Sequence, residues 1–220
     1  MSVLAVETFY GLLAIIGIAA IVAVILLRLA ALGSDGARDR WEDLVHALAP
    51  AAYGMAWVVA FLATAGSLYF SEVAGFEPCT LCWYQRIAMY PLVIVLAIAA
   101  ARRERVGAYY AAALAGIGAL VAAYHVLLEW FPSLDSGACS ATAPCTLVWF
   151  RVFGFVSLPT LALVAFALIL TLLAIRLAAP DRDAGATDAG AIGLAAPDSD
   201  PDADLDPDPD DHADPTRRPA

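Results

Sequence analysis

Five long apolar blocks dominate this sequence of 220 residues and constrain its fold more than any other feature. They cover residues 9–32, 50–70, 87–101, 106–128 and 155–179. About 20 apolar helical residues cross the hydrocarbon core of a bilayer, and the third block reaches that length when it is extended back to Cys79. The chain is 62% hydrophobic and only 15% charged, which is too apolar for an ordinary soluble domain. The pattern predicts an all-α, polytopic membrane protein.

The organisation of the chain follows from these blocks. We expect residues 1–49 to hold an N-terminal transmembrane helix and a cytoplasmic loop, and residues 50–179 to form a four-helix transmembrane core. The first block has no basic segment before it and is longer than the apolar part of a signal peptide, so we interpret it as a retained helix. Residues 180–220 are acidic and rich in Asp, Ala and Pro. Such a tail has too little apolar surface to order itself, and we expect it to be disordered.

Arginine placement predicts the orientation of the bundle. Two clusters adjoin the blocks: Arg28, Arg38 and Arg40 near the first, and Arg102, Arg103 and Arg105 between the third and fourth. Positively charged loops stay in the cytoplasm, so we expect both loops and the acidic tail to be cytoplasmic. The N-terminus and residues 71–78 and 129–154 then face outward. All four cysteines lie at or near that extracytoplasmic face.

The four cysteines fall into two close pairs. Cys79 and Cys82 form a Cys-x-x-Cys motif, and Cys139 and Cys145 are separated by five residues in the predicted outer loop. Thiols on an oxidising side of a membrane tend to pair, and the spacings favour Cys79 with Cys82 and Cys139 with Cys145 in at least one resting state. Pro78 can begin a helix whose unpaired N–H groups stabilise a thiolate in the motif.

Two ionisable residues in apolar blocks are candidates for chemistry. Arg86 follows Cys82 by about one helical turn, so its guanidinium favours a thiolate there and could hydrogen-bond a carbonyl oxygen of a quinone ring. An ionisable residue inside a membrane is a functional hypothesis by default. His125, beside Tyr124, offers a proton path or a quinone contact, or else it is a histidine hydrogen-bonded inside the bundle. We interpret Glu129, one turn later, as an interfacial residue.

The cysteine motifs and their surroundings resemble the DsbB/BdbC family of disulfide bond formation proteins. The resemblance rests on Pro78-Cys79-Thr80-Leu81-Cys82-Trp83-Tyr84-Gln85-Arg86, on Tyr124-His125, and on the second pair followed by Phe153-Gly154-Phe155 and Ser157-Leu158-Pro159. It covers roughly residues 50–179, and the spacing of the second pair is more similar to the BdbC branch. The resemblance implies a four-helix bundle, to which the first block adds a helix without a counterpart in the basic family pattern.

The resemblance also implies an activity, that of a membrane protein-disulfide:quinone oxidoreductase. A reduced thioredoxin-like partner of the DsbA/BdbD type would attack Cys139, although the roles of Cys139 and Cys145 can be exchanged at this point. Cys145 would then exchange with Cys79, which leaves Cys82 as a thiolate in charge-transfer contact with a quinone. Cys82, Arg86 and His125 would bind this quinone, either ubiquinone or menaquinone, from the pool in the bilayer.

Other functions stay open on the sequence alone. Cys-x-x-Cys is half of a common zinc signature, but no second half follows it, and we expect no metal. A vitamin K epoxide reductase-like oxidoreductase also combines a membrane bundle, this motif and a quinone, although its motif usually follows the loop cysteines. A non-catalytic membrane protein with structural disulfides is the third alternative.

The glycines of the fourth block predict helix packing. Gly116-Ile-Gly118 is not a nucleotide-binding loop, because the sequence contains no GxGxxG or GxxxxGK[ST] motif. Small residues allow transmembrane helices to approach closely. No basic stripe suggests a nucleic-acid partner.

Overall fold

Six α-helices make up most of the described chain, which in this computed structural model is residues 2–135, 137, 139 and 144–180. In chain order they are α1 (Val3–Ala30), α2 (Asp35–Leu48), α3 (Ala52–Leu68), α4 (Thr80–Arg102), α5 (Arg105–Trp130) and α6 (Leu158–Ala178). All but α2 are long and apolar enough to cross a membrane, α3 together with the π-helical turn Tyr69–Val73 that continues it. The predicted all-α polytopic fold is confirmed. The predicted tail, apart from Pro180, lies outside the described residues.

Helix α2 occupies the segment that was expected to be a loop after α1. Trp41, Val45 and Leu48 recur on one face of it at helical spacing. Val45 is buried and packs with Ile175 of α6 in a small apolar cluster that includes Trp41 and Leu48. An amphipathic face of this kind stabilises a short helix against the bundle.

Helices α3, α4, α5 and α6 form a four-helix bundle in which each helix packs against two neighbours, and α1 lies outside it against α6. The bundle core consists of small residues facing larger aliphatic and aromatic ones. Its fully buried members include Ala56, Ala60, Leu92, Leu96, Ala108, Ala115, Phe166 and Ile169. Small side chains let the helices approach closely, which favours van der Waals packing where lipid weakens the hydrophobic effect.

Of the Gly116-Ile-Gly118 pair in α5, only one glycine is required by this close approach. A Cβ atom at Gly118 would lie 2.2 Å from the Phe166 ring, whereas a Cβ atom at Gly116 would meet nothing within 4 Å. The predicted role in helix packing is therefore confirmed for Gly118 only. Gly116 faces a direction in which no described residue packs closely.

The two ends of the bundle differ in chemistry. The end that we call the cysteine end contains the N-termini of α4 and α6 and the C-terminus of α5, where Cys79, Ser157 and Glu129 lie. At the opposite end, the arginine end, Arg105 donates hydrogen bonds to the carbonyl oxygens of Leu177 and Ala179. These bonds tie the start of α5 to the end of α6.

Candidate active site

Two neighbouring thiols lie at the N-terminus of α4. Cys79 is the N-cap residue, and its Sγ accepts a hydrogen bond from the backbone N–H of Cys82 at 3.4 Å. The Sγ atoms of Cys79 and Cys82 are 3.2 Å apart, and both cysteines are free thiols in this structure. The pair can therefore hold two electrons as a dithiol and release them by forming a disulfide.

The second cysteine pair is oxidised. Cys139 and Cys145 form a disulfide with their Cα atoms 5.7 Å apart, as their spacing predicted. Cys145 is fully buried and belongs to the same apolar cluster as Cys79 and Leu128. Cys139, in contrast, is partly exposed. The two pairs therefore adjoin each other, and Cys145 is the more deeply buried member of the outer pair.

A single buried histidine connects the two cysteine pairs. His125 Nδ1 lies 3.1 Å from Gln85 Nε2, and because an amide nitrogen only donates, Nδ1 is the acceptor. Nε2 is then the ring nitrogen that donates. This atom lies 3.1 Å from the carbonyl oxygen of Cys145 and 3.7 Å from the Sγ of Cys79. His125 is thus a donor toward one residue of each pair.

These hydrogen bonds stabilise a thiolate on Cys79 more than one on Cys82. The hydrogen bond with the Cys82 thiol has the largest effect and lowers the pKa of Cys79, His125 lowers it further, and burial opposes both. We assign the shared thiol hydrogen to Cys82, because the Sγ of Cys79 already faces two N–H donors. The spacing of Arg86 after Cys82 predicted a thiolate on Cys82, whereas the N–H donors converge on the Sγ of Cys79.

An apolar cavity of about 320 Å³ is bordered by Cys82. Its walls come from α1, α3, α4 and α6, and most of its lining is aliphatic or aromatic. Its polar side chains include Ser67, Gln85 and Arg86. The volume is at the low end of the roughly 300–1,000 Å³ of small-molecule sites, which combine an apolar lining with a few polar groups. The cavity therefore fits a flat apolar ring with a hydrogen-bond acceptor, as the expected quinone has.

Arg86 lies on the wall of this cavity together with Cys82. Its Nε donates to Ser67 Oγ at 3.0 Å and its Nη2 to the carbonyl oxygen of Ser67 at 3.1 Å. The guanidinium carbon also lies 5.2 Å from the centroid of the Trp83 ring. Among the described residues, Nη1 has no hydrogen-bond acceptor. Helix α3 thus fixes the guanidinium, and one N–H edge stays available to a ligand.

A smaller cavity of about 70 Å³ borders both thiols and brings acidic groups to them. Its lining includes Cys79, Cys82, His125 and Glu129. Glu129 is only 9% exposed, and its Oε2 accepts a hydrogen bond from Ser157 Oγ at 2.5 Å. The residue interpreted from sequence as interfacial therefore packs inside the cysteine end, on the same small cavity as His125 and both thiols.

The same residues have to be considered as metal ligands. The ligand atoms of Cys79, Cys82 and His125 lie within 4.8 Å of one another. The four-cysteine zinc alternative needs four thiolates, and the Cys139–Cys145 disulfide removes two of them. Both ring nitrogens of His125 are engaged by Gln85 and by the Cys145 carbonyl. This hydrogen bonding suits thiol chemistry better than metal coordination.

Three polar residues of the site were not identified as functional from the sequence. Gln85 follows Cys82 by three residues on one face of α4, and this spacing is a signal that points to it. Ser67 reaches Arg86 across 19 residues of sequence, and Ser157 reaches Glu129 across 28. No local pattern marks Ser67, and Ser157 entered the sequence analysis only as part of the Ser157-Leu158-Pro159 motif, because the partners of both serines lie on other helices.

The chain is similar to known disulfide formation proteins. Residues 49–176 match the family model described as Disulfide bond formation protein DsbB. The chain is 47% identical over 118 residues to the Probable disulfide formation protein of Oceanobacillus iheyensis, which covers 53% of this chain and 81% of the relative. It is 45% identical over 115 residues to Disulfide bond formation protein C of Bacillus subtilis, which covers 52% of this chain and 83% of the relative. No solved structure gives a significant match.

Proposed function

Since this chain belongs to the DsbB family of membrane disulfide bond formation proteins, we propose that it is a protein-disulfide:quinone oxidoreductase. It reoxidises an extracytoplasmic thioredoxin-like protein of the DsbA/BdbD type and passes the electrons to a membrane quinone. The main observation behind this proposal is that the two cysteine pairs and the apolar cavity adjoin one another. Two adjoining cysteine pairs, linked by His125, lead to a cavity that Cys82 and Arg86 line.

Burial supports an order for the thiol exchanges. Cys139 is partly exposed and Cys145 is fully buried, so the partner thiolate attacks the Sγ of Cys139 and Cys145 leaves as a thiolate. Cys145 then attacks the Sγ of Cys79 in the Cys79–Cys82 disulfide, and the electron pair leaves on Cys82. The second thiolate of the partner then displaces Cys139 and releases the oxidised partner. Cys139 attacks Cys145 in the Cys79–Cys145 disulfide, so the outer disulfide re-forms and Cys79 and Cys82 are left as a dithiol. Each exchange breaks one S–S bond and forms another. Two electrons therefore move inward for every dithiol that the partner brings.

The apolar cavity supports quinone as the electron acceptor. A quinone bound there would accept two electrons and two protons for each disulfide formed. Cys82 borders the cavity, and Arg86 can donate from Nη1 to an acceptor oxygen in it while Ser67 fixes the guanidinium. His125 and Glu129 line the smaller cavity beside both thiols, where they can hold and move protons.

The orientation of the bundle belongs to the same proposal. The cysteine end faces the extracytoplasmic side, where the thioredoxin-like partner and exported proteins are found. Arg102, Arg103 and Arg105 lie at the arginine end, where α4 ends and α5 begins. Because arginine-rich loops stay in the cytoplasm, this end faces the cytoplasm, and the acidic tail that follows α6 is cytoplasmic as well.

The proposal is tested with protein purified in detergent with its native lipids. A reduced thioredoxin-like protein and a soluble quinone are added, quinone absorbance is followed, and free thiols are trapped. We expect quinone reduction to match partner oxidation, and Cys82→Ala to stop quinone reduction while the partner still reduces the Cys139–Cys145 disulfide. Cys139→Ala, the matched control, should stop both steps. Inert cysteines, or a tightly bound zinc ion in place of turnover, would contradict the proposal.

A further inference from the structure

One wall of the apolar cavity comes from a helix outside the region that matches the family model. That match begins at residue 49, after α1 and α2. The residues of α1 that line the cavity are Tyr10, Leu13, Ala14, Ile16, Gly17 and Ala20. We propose that α1 is a specificity element that binds the apolar tail of the quinone and so distinguishes tailed from tailless quinones. This inference rests on the proposed function.

Close packing fixes α1 against the bundle. A Cβ atom at Gly17 would lie 3.0 Å from Val164 Cγ1 of α6, and one at Gly11 would lie 3.2 Å from the Phe153 ring. At distances this short, any larger residue would require the neighbouring side chains to shift by a few tenths of an ångström. The wall that α1 contributes is therefore part of the folded molecule.

Tyr10 joins α1 to α3 on the other side of the cavity. Its hydroxyl donates to the carbonyl oxygen of Leu62 at 3.1 Å. Its ring lies over Gly66, where an added Cβ atom would be only 2.6 Å from Tyr10 Cζ. The ring therefore fills the gap between α1 and α3 at one level of the cavity.

The ring of Tyr10 also belongs to an aromatic cluster at the cysteine end. The cluster consists of Tyr10, Phe70, Phe76, Trp149 and Phe150. The ring centroids of Tyr10 and Phe70 are 5.8 Å apart, and those of Phe76 and Trp149 are 4.9 Å apart. Because Tyr10, Phe70, Phe76 and Trp149 line the cavity, the cluster covers it at the cysteine end. A ligand tail would then extend away from the cysteine end, past the α1 residues that follow Tyr10.

The length and chemistry of the α1 wall indicate which part of a quinone it contacts. From Tyr10 to Ala20 the helix rises about 15 Å, whereas the site's charged anchor, Arg86, lies only about two turns, roughly 10 Å, from the cysteine end of α4. The α1 lining beyond Tyr10 carries no polar side chain. Such a surface recognises an isoprenoid chain by its apolar area and leaves the ring oxygens to Arg86.

Ala20 and Ala19 provide a matched pair of positions for the test. Both are exposed alanines of α1, but Ala20 lines the cavity and Ala19 is not among its lining residues. Ala20→Trp adds a large side chain where the tail would lie. Ala19→Trp adds the same side chain about 100° around the helix, away from the cavity. Because neither position is buried, both variants should fold.

Binding is measured as the rise in unfolding temperature on adding quinone, since a ligand that binds only the folded state stabilises it. Tailless and short-tailed quinones of the ubiquinone and menaquinone classes are compared. We expect Ala20→Trp to weaken binding of the tailed quinones about tenfold, the order expected for overfilling an apolar site. Binding of the tailless quinones should stay unchanged in that variant, and Ala19→Trp should leave both kinds unchanged.

Two results would overturn the role of α1. The first is unchanged binding of the tailed quinones by Ala20→Trp, and the second is equal weakening of the tailed and tailless quinones. Turnover of a tailless quinone by the same proteins reports the proposed function separately. Normal turnover with an unaltered tail preference would reject only the role of α1, whereas a wild-type protein that reduces no quinone would reject the proposed function.

Discussion

His125 lies where the two cysteine pairs meet, and its tautomer decides how it acts there. With Nδ1 accepting from Gln85, the ring offers an N–H toward Cys79 and toward the carbonyl oxygen of Cys145. A donor in this place stabilises a thiolate on Cys79. It also fixes the backbone of the outer pair beside the inner one, which favours exchange between them.

The first prediction concerns the titration of Cys79. Its pKa is lowered, so the thiolate persists at pH values below the ordinary range of a thiol and is lost only when the pH falls through the lowered pKa. His125→Phe removes one cause of the lowering, and we expect the midpoint to rise by about one pH unit. The thiolate absorbance of the reduced protein in the ultraviolet measures this midpoint.

A histidine of α2 provides the control for this titration. His46 is exposed and lies on a different helix from the site, so His46→Phe should leave the midpoint unchanged. A midpoint that is the same in wild type and in His125→Phe would show that His125 does not stabilise the thiolate. The positioning role proposed for it would then be wrong.

The second prediction concerns Arg86. Arg86→Met removes the charged donor in the cavity. We expect KM for quinone to rise about 10-fold to 100-fold, because this is the affinity typically lost with a hydrogen bond from a charged group. Arg86→Lys should recover part of this loss, because a lysine keeps the charge but not the planar donor edge.

Arg151 lies at the cysteine end over the Trp130 ring and is exposed. Arg151→Met is therefore the control, and an equal effect on KM in both methionine variants would contradict the role of Arg86.

Sequence spacing predicted the residues whose chemistry is local. The two cysteine pairs and Arg86 stand in motifs whose members lie within a few residues of each other. Ser67 and Ser157 act through residues on other helices, and their positions depend on packing that a spacing rule does not describe. The lowered pKa of Cys79 depends in part on His125, which is 46 residues away from Cys79 in the sequence.

Among the helices, the contact of α5 with α6 depends on one glycine. A Cβ atom at Gly118 would overlap the Phe166 ring, so Gly118→Ala should destabilise the bundle by about 1–3 kcal/mol. Gly116→Ala adds the same methyl group where nothing lies within 4 Å, and it should be neutral or slightly stabilising. Thermal unfolding in detergent measures both variants. Equal stabilities would mean that α5 and α6 do not pack as described.

Apolar length predicted the spanning helices but not the details of their ends. Helix α2 is short and amphipathic, so no long apolar block in the sequence predicts it. The π-helical turn Tyr69–Val73 ends α3, where Ser71 Oγ bonds back to the carbonyl oxygens of Ser67 and Leu68. Serine contacts of this kind compete with regular helix geometry. The turn buries Phe70, which packs in the aromatic cluster.

At the scale of the whole molecule, the different chemistry of the two ends predicts which side of the membrane each end faces. Ser133 is exposed near the cysteine end and Asp39 is exposed on α2. With the four native cysteines replaced by serine, Ser133→Cys should react with a membrane-impermeant maleimide in intact cells. Asp39→Cys should react only after the cells are opened. The reverse pattern would invert the proposed orientation.

The most direct test of the account is the stoichiometry of turnover by the wild-type protein without oxygen. Reduced thioredoxin-like partner and quinone are mixed with a catalytic amount of protein, and partner disulfide and quinol are both quantified. We predict one quinol for each partner disulfide, because the proposed path carries two electrons from Cys139–Cys145 through Cys79–Cys82 to one quinone. Partner oxidation without quinol, or quinol formed without the partner, would contradict electron transfer along this path.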